Sequence, residues 1–290
     1  MENNQIDLEN TQAEAENNQI DLESTQEEAE NVQIDPEDTQ PEAENPQPEE
    51  KVKKSHKKLW VTLGIIFGSL AVIALLVILL WSNIKVMFTV LKLRNAEIGE
   101  TFTMGTYEQD GNLSTPPEDI EWVVLAKEGD KVLVISKYAL DCVPYNEEFD
   151  SATWETCTLR TWLNKDFYNS VFNKAESKVI PVTTVTADPN PTYKTNAGND
   201  TQDKIFLLSI AEAEKYANQE TLKCLPTEYT VKGRVVIDEE TKCCSWWLRT
   251  PGYLPQDATA VGGQGFIYGQ GNYVYFPFYA VRPAMWIDIG

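Results

Sequence analysis

An uncharged apolar run, LWVTLGIIFGSLAVIALLVILLW, occupies residues 59–81 and limits everything else the chain can be. It contains nothing more polar than Thr62 and Ser69. As a helix it would extend about 34 Å, enough to cross a hydrocarbon core of about 30 Å. A single span has no neighbouring strands to bond its backbone groups, so only a helix satisfies them in lipid. Trp60 and Trp81 stand at its two ends, where amphipathic rings favour the headgroup level. Soluble core helices seldom run this far without a charge. A cleaved signal peptide would be shorter and nearer the start.

The flanks set the expected orientation. Lys51, Lys53, Lys54, Lys57 and Lys58 precede the run, whereas Lys85, Lys92 and Arg94 follow it. That asymmetry predicts a cytoplasmic N-terminus and an exported C-terminal region, the topology of a signal-anchor protein. The chain then divides into an acidic tail (1–50), a basic flank (51–58), the span (59–81), a membrane-proximal stalk or helix extension (82–97) and an outer domain (98–290). Of the formal net charge of −21, residues 1–58 carry −12 and residues 82–290 carry −9. An acidic outer domain argues against nucleic acid, whose phosphates demand Lys and Arg. It suits solubility at a cell surface.

The tail repeats a 14-residue unit three times over residues 3–44: NNQIDLENTQAEAE, NNQIDLESTQEEAE and NVQIDPEDTQPEAE. Each copy has at most two large aliphatic residues, too few to bury a face and offset chain entropy, so disorder is expected. Such a tail serves as an acidic spacer or as a docking segment for a cytoplasmic partner.

From Gly99 the pattern becomes β-rich. IEWVVLA and KVLVISKYAL flank the Gly129-Asp130 turn and read as a hairpin. Residues 158–173 change period: Leu159, Trp162, Leu163, Phe167, Val171 and Phe172 fall on one helical face. A strand is expected around 179–185, another at KIFLLS (204–209) and a short helix at IAEAEKYA. Between them lies the polar loop 187–203. After Trp246, glycine-punctuated strands close an α+β domain.

All five cysteines lie beyond the span, where disulfides are allowed. A bridge from Cys224 to Cys243 or Cys244 would close a loop of about 20 residues, worth about 3 kcal/mol in the chain-entropy treatment. The one histidine, His56, precedes the span. The outer domain therefore holds no Ser-His-Asp or Cys-His triad and no histidine metal site, which argues against an enzyme.

The blocks GTYEQDG, IEWVVLA, ISKYALDCVPYN, TWETCTLRTWLNKDFYNSVF, GNDTQDKIFLLSIAEA, WWLRTPG and VRPAMW occur in one order over about residues 98–287. In this the chain resembles the bacterial domain of unknown function 6273, found on surface or exported proteins. The closing WWLR and VRPAMW blocks are distantly similar to those of the C-type-lectin-like fold, which includes formylglycine-generating enzymes. The resemblance implies a C-type-lectin-like outer domain with its ligand face on the late loops. It also implies serine where this chain has Cys157. Cys243 and Cys244 do not reproduce the reactive pair of a formylglycine-generating enzyme, and no Glu-Pro-Asn or Gln-Pro-Asp calcium tripeptide occurs.

Candidate ligand-binding residues gather late in the chain. Trp246 and Trp247 are strand neighbours, so one is expected in the core and Trp247 on the surface. Arg249 and Arg282 suit bidentate anchoring of a carboxylate or phosphate, or else structural pairing inside. Tyr268, Tyr273 and Tyr275 offer a stacking platform for sugar or peptide, with Asp257, Gln264 and Asn272 to orient a bound ring. Asp188, Asn190, Asn196, Asn199, Asp200 and Asp203 carry hard oxygens of the kind calcium accepts, but without the spacing of an EF-hand, so neither metal nor cofactor is expected. The reading is a single-pass bacterial surface protein that binds a glycan, wall component or protein. The alternatives are an exported formylglycine-generating or wall-hydrolase enzyme, or a sensory ectodomain. Cysteines placed singly within residues 1–58 should escape a membrane-impermeant thiol reagent on intact cells and react after lysis; labelling before lysis would invert the topology.

Overall fold

The computed structural model describes the backbone of residues 50–290 and the side chains of residues 59–290 other than Leu79. The repeats, the expected disorder of the tail and the side chains of the basic flank lie outside the described residues. The chain divides into two units, Met1–Trp60 and Val61–Gly290. Of the first, only the opening of helix α1 (Glu50–Asn95) is described. Within α1, Leu59–Ile78 is long and apolar enough to cross a membrane, and none of that window is buried.

The apolar run ends at Trp81, but the helix does not. It continues to Asn95 and docks its last turns on the domain, with Leu93 fully buried. Lys127 donates to the carbonyls of Arg94 (2.8 Å) and Ala96 (3.2 Å), groups left without intrahelical partners at a helix end. Arg94 in turn donates to the Ile289 carbonyl at 2.6 Å. Residues 82–95 are thus a helix extension, fastened by Lys127 of β2 and by the Ile289 carbonyl near the end of the chain.

A four-stranded antiparallel sheet follows in the order β1-β2-β3-β11: β1 (Thr101–Tyr107), β2 (Glu118–Glu128), β3 (Lys131–Ser136) and β11 (Ala284–Asp288). The expected hairpin is β2–β3, turning at Gly129 with φ +58°. Ile120, Trp122 and Val124 alternate inward along β2, and the Trp122 indole donates to the Met104 carbonyl at 2.7 Å. A second, five-stranded sheet has the order β4-β10-β7-β8-β9: β4 (Asp141–Cys142), β7 (Trp246–Pro251), β8 (Asp257–Val261), β9 (Ile267–Tyr273) and β10 (Ala280–Val281). Its pairs are antiparallel except β7–β10. One apolar core draws on both sheets.

The helical face read at 158–173 appears as α2 (Thr158–Trp162), a π-turn (Leu163–Phe167) and α3 (Tyr168–Val171). Asn164 sits in the π-turn and reaches across the chain. It accepts from the Lys204 and Ile205 N–H groups and donates to the carbonyls of Arg160 and Ile205. The expected strand at 179–185 shrinks to β5 (Thr183–Val185), which pairs with β6 (Thr201–Asp203) inside the stretch read as a loop. Helix α4 (Ile210–Tyr216) begins with a Ser209–Glu212 capping box. Short helices α5 (Gln219–Leu222) and α6 (Glu228–Lys232) follow.

KIFLLS is not a strand. Ile205, Phe206, Leu207 and Leu208 are all buried, and only Phe206 forms an isolated bridge, to Ala284. The apolar content reflects burial on all sides, which a run of this length reports without specifying a ladder. Its backbone is bonded piecemeal: the Arg249 N–H donates to the Leu208 carbonyl at 3.0 Å and the Arg249 guanidinium to the Leu207 carbonyl at 2.8 Å.

The expected bridge from Cys224 is also absent, since Cys142, Cys157, Cys224, Cys243 and Cys244 are free thiols. Cys244 instead donates its backbone N–H to the Cys224 carbonyl at 2.8 Å. Its thiol, hydrogen-bonded to Cys224 and buried, is held well above the usual range. Cys157 caps α2, its sulfur accepting from the Arg160 N–H at 3.4 Å, a position that suits a serine oxygen equally.

Asp203 is a buried carboxylate. It accepts from Arg160 (2.8 Å), the Trp154 indole (2.9 Å) and the Thr201 hydroxyl (2.5 Å). Asp203→Ala leaves the Arg160 cation without its partner and should lower stability by about 3–5 kcal/mol in urea unfolding; a loss below 1 kcal/mol would refute the buried pairing. A second measurement concerns Cys157, whose thiol burial pushes up to about 12, against about 9 unfolded. Between those values the unfolded chain has lost the proton that the folded chain keeps. Stability should therefore fall as pH rises from about 9 to about 12, by up to about 1.4 kcal/mol per pH unit for this group. Cys157→Ser should remove that increment while preserving the cap, read as the difference between the two stability–pH curves.

Candidate functional site

The expected site residues separate into a buried set and an exposed one. Trp246 and Trp247 are both fully buried, although strand neighbours point to opposite faces, because β7 lies inside its sheet with both faces covered. The Trp247 indole donates to the Val143 carbonyl at 3.1 Å and its ring packs edge-on against Tyr145 and Tyr279. No face of it is left for a ligand.

Arg249 and Arg282 are buried as well. Arg249 pairs with Glu212, lies 4.0 Å from Asp188, and donates to the Leu207 and Thr186 carbonyls. Arg282 donates to the carbonyls of Ser136 (3.0 Å) and Thr221 (2.7 Å), with its guanidinium 5.1 Å from the Trp246 ring centre. Both are buried and bonded to the protein's own groups, so of the two roles open to them the structure gives the internal one. Asp257 is buried too: its carboxylate accepts from the Leu254 N–H at 3.0 Å and closes the turn between β7 and β8.

The oxygen-bearing residues of the loop are likewise engaged. Asp200 accepts from the Ala187 N–H, Asn196 from Gly198, and Asn199 donates to Glu155. Asn190, fully buried, donates to the Pro251 and Gly269 carbonyls and accepts from Thr192 and Tyr193. The segment is a strap that ties the β9 edge to β7. A separate acidic group, Glu108, Asp110 and Glu118, brings three carboxylate oxygens within 4.8 Å of one another. Desolvation first, then Asp110 and Glu118, raise the Glu108 carboxyl.

The tyrosines lie outside. Tyr268, Tyr273 and Tyr275 are about half exposed, in and just beyond edge strand β9. Tyr273 and Tyr275 stack at 5.9 Å with an interplanar angle of 19°. Phe149 meets both edge-on, at 5.2 and 5.1 Å, and is 55% exposed. Backbone alternation explains the pair: Val274 between them is buried, its N–H bonded to the Gln256 carbonyl and its carbonyl to the Asn146 N–H. Asn146 also fixes the Phe149 loop, accepting from Thr158 and donating to the Glu148 carbonyl. The three rings are therefore held by ordered backbone rather than splayed on a tether.

The exposed face continues beyond this trio. Ala152 N–H donates to the Pro255 carbonyl at 3.0 Å, and Gln256 donates to the Ser151 hydroxyl at 3.3 Å. These bonds bring the Phe149 loop against the turn that carries Tyr253, itself edge-on to Tyr193 at 4.9 Å. Asn272 is half-buried and accepts from the Tyr273 N–H. Gln264 and Tyr268 sit toward the other end of β9; Gln264 donates to Asp238, and the Tyr268 ring covers Gly262 where a Cβ would collide. Phe149, Tyr193 and Tyr253 went unread in the sequence because single aromatics in polar loops carry no periodicity.

The family model "Domain of unknown function (DUF6273)" matches residues 129–289. The match begins at the β2–β3 turn, so β1 and β2 precede it while completing the same sheet. No curated protein and no solved structure matches the chain. With more than half of its residues inside that match, running from the β2–β3 turn through β11, the chain belongs to the DUF6273 family.

Proposed function

We propose that this chain is a single-pass membrane protein of the bacterial surface, and that its outer domain binds an envelope glycan on the aromatic face of Phe149, Tyr273 and Tyr275. The observation that carries this reading is the trio itself: three rings in mutual contact, each 45–55% exposed, on an ordered edge of a buried sheet. A soluble domain gains by burying such rings; holding them in water suits a surface that will be covered by a ligand. Flat ring faces match the apolar faces of pyranoses, and the tyrosine hydroxyls and the Asn272 amide supply polar contacts at the rim. Tyr268 and the Tyr193–Tyr253 pair would extend the contact along a chain-like ligand. The late position of Tyr268, Tyr273 and Tyr275 in the chain also favours a C-type-lectin-like fold for the domain. The lysine-rich flank before the apolar run supports a cytoplasmic N-terminus and an outer domain outside the cell.

The test is co-sedimentation of the detergent-solubilised full chain with purified peptidoglycan. Phe149→Ala, Tyr273→Ala and Tyr275→Ala should each weaken binding by about thirtyfold, the scale of a hot spot worth about 2 kcal/mol. Their melting temperatures should stay close to that of the parent, because half-exposed rings contribute little to the core. Tyr268→Ala should have a smaller effect on binding. Unchanged sedimentation in all three trio variants, with the parent bound, would end the proposal, as would a parent that does not bind peptidoglycan.

A further inference from the structure

The C-terminal part of α1 forms one wall of a cavity of about 600 Å³, a size within the range of small-molecule sites. Trp81, Lys85 and Val86 come from the helix, Gly105 and Asp119 from β1 and β2, and Phe172 from the end of the α2–α3 segment. Its depth follows from the helix rise. Trp81 closes the apolar run, and Lys85 lies four residues, about 6 Å, farther along the axis. The headgroup layer extends roughly 5–7 Å beyond the hydrocarbon on each side. If residues 59–81 span the bilayer, the cavity therefore opens at headgroup level, with the aromatic ring of Trp81 at its lower rim.

The charges in the wall narrow the occupant. Lys85 and Asp119 both line the cavity and both are exposed, yet among the described residues neither takes part in an ion pair. Glu176, the third charged group, has both oxygens committed, to the N–H groups of Gly105 (3.0 Å) and Asn173 (3.0 Å). One cation and one anion thus face a shared space without neutralising each other. Val86, Met104 and Phe172 supply an apolar floor, and the hydroxyls of Ser82 and Thr89 stand on the helix side. Gly105, at φ +71°, lets the backbone approach Val171 and Phe172 where a Cβ would collide.

We propose that this cavity binds the headgroup of a zwitterionic glycerophospholipid, with Lys85 on the phosphate and Asp119 on the primary ammonium of phosphatidylethanolamine. The assignment rests on the membrane-span reading of residues 59–81 and is independent of the aromatic face. Its consequence is orientational: a lipid clasped between the helix and the β1–β2 edge fixes the domain against the membrane surface.

Native mass spectrometry of the full chain in detergent, titrated with phosphatidylethanolamine, phosphatidylcholine or phosphatidylglycerol, tests it. Phosphatidylethanolamine should be retained best, and Lys85→Ala and Asp119→Asn should each weaken retention by about tenfold, the scale of one charge-assisted hydrogen bond. Both positions are exposed, so melting should not change. Equal retention of phosphatidylethanolamine by parent and both variants would overturn the proposal. So would phosphatidylglycerol binding as tightly as phosphatidylethanolamine and ignoring Asp119→Asn, because that marks a plain anion site. The span reading is checked separately by flotation with phosphatidylethanolamine–phosphatidylglycerol vesicles, in which the parent and both variants should float alike; a parent that stays at the bottom removes the span and the headgroup site together.

Discussion

Buried backbone groups that no strand ladder reaches must still be hydrogen-bonded, and in this domain a few long polar side chains do it. Arg249 bonds the carbonyls of Leu207 and Thr186, Arg282 those of Ser136 and Thr221, Asn164 both groups of Ile205, and Asn190 the carbonyls of Pro251 and Gly269. Each side chain joins segments far apart in sequence. Irregular stretches such as 204–209 can consequently run through the core without belonging to a sheet. Asp203 extends the same device to a buried anion, joined by Arg160, Trp154 and Thr201.

This scaffolding explains why exposed aromatics can be held still. The Phe149 loop and the 252–257 turn have little regular structure, yet Asn146 links the Glu148 carbonyl to the Thr158 N–H at the start of α2, and Asp257 of β8 accepts from the Leu254 N–H. Tyr273 and Tyr275 follow from the burial of Val274 at the sheet edge. A binding face assembled from loops gains affinity when its geometry is fixed beforehand, since less ordering is needed on contact. The same logic applies at the other end of the domain. There the last turns of α1 are fastened by Lys127 and Arg94, so the wall that bears Lys85 does not swing freely.

Several local rules gave the wrong answer for reasons that are physical. Strand alternation predicts that one of Trp246 and Trp247 faces water, but a central strand with both faces covered buries both. For Arg249 and Arg282 the reading left two roles open, anchoring an anionic ligand or structural pairing inside; their guanidinium groups are engaged by carbonyls and, for Arg249, by Glu212. Cys224 was expected to bridge to Cys243 or Cys244, but all three are free thiols, and Cys244 meets Cys224 through its backbone N–H on the Cys224 carbonyl. In each case the residue type was informative and its surroundings were not yet known.

What the sequence by itself determined is whatever depends on local composition and period. The apolar helix, the β2–β3 hairpin at Gly129-Asp130, the helical face that begins at Thr158 and the short helix IAEAEKYA that appears as α4 were all readable, as was the family likeness. Their signals are an unbroken run, a turn pair and a 3.6-residue spacing, all complete within a few residues. Only the tertiary structure decided which aromatics are core and which form a surface, because burial depends on what packs from a distance. It alone joined Phe149 to Tyr273 and Tyr275, and Lys85 to Asp119 across one cavity. Those residues come from separate elements, and no spacing along the chain encodes a meeting that the folding of other segments brings about.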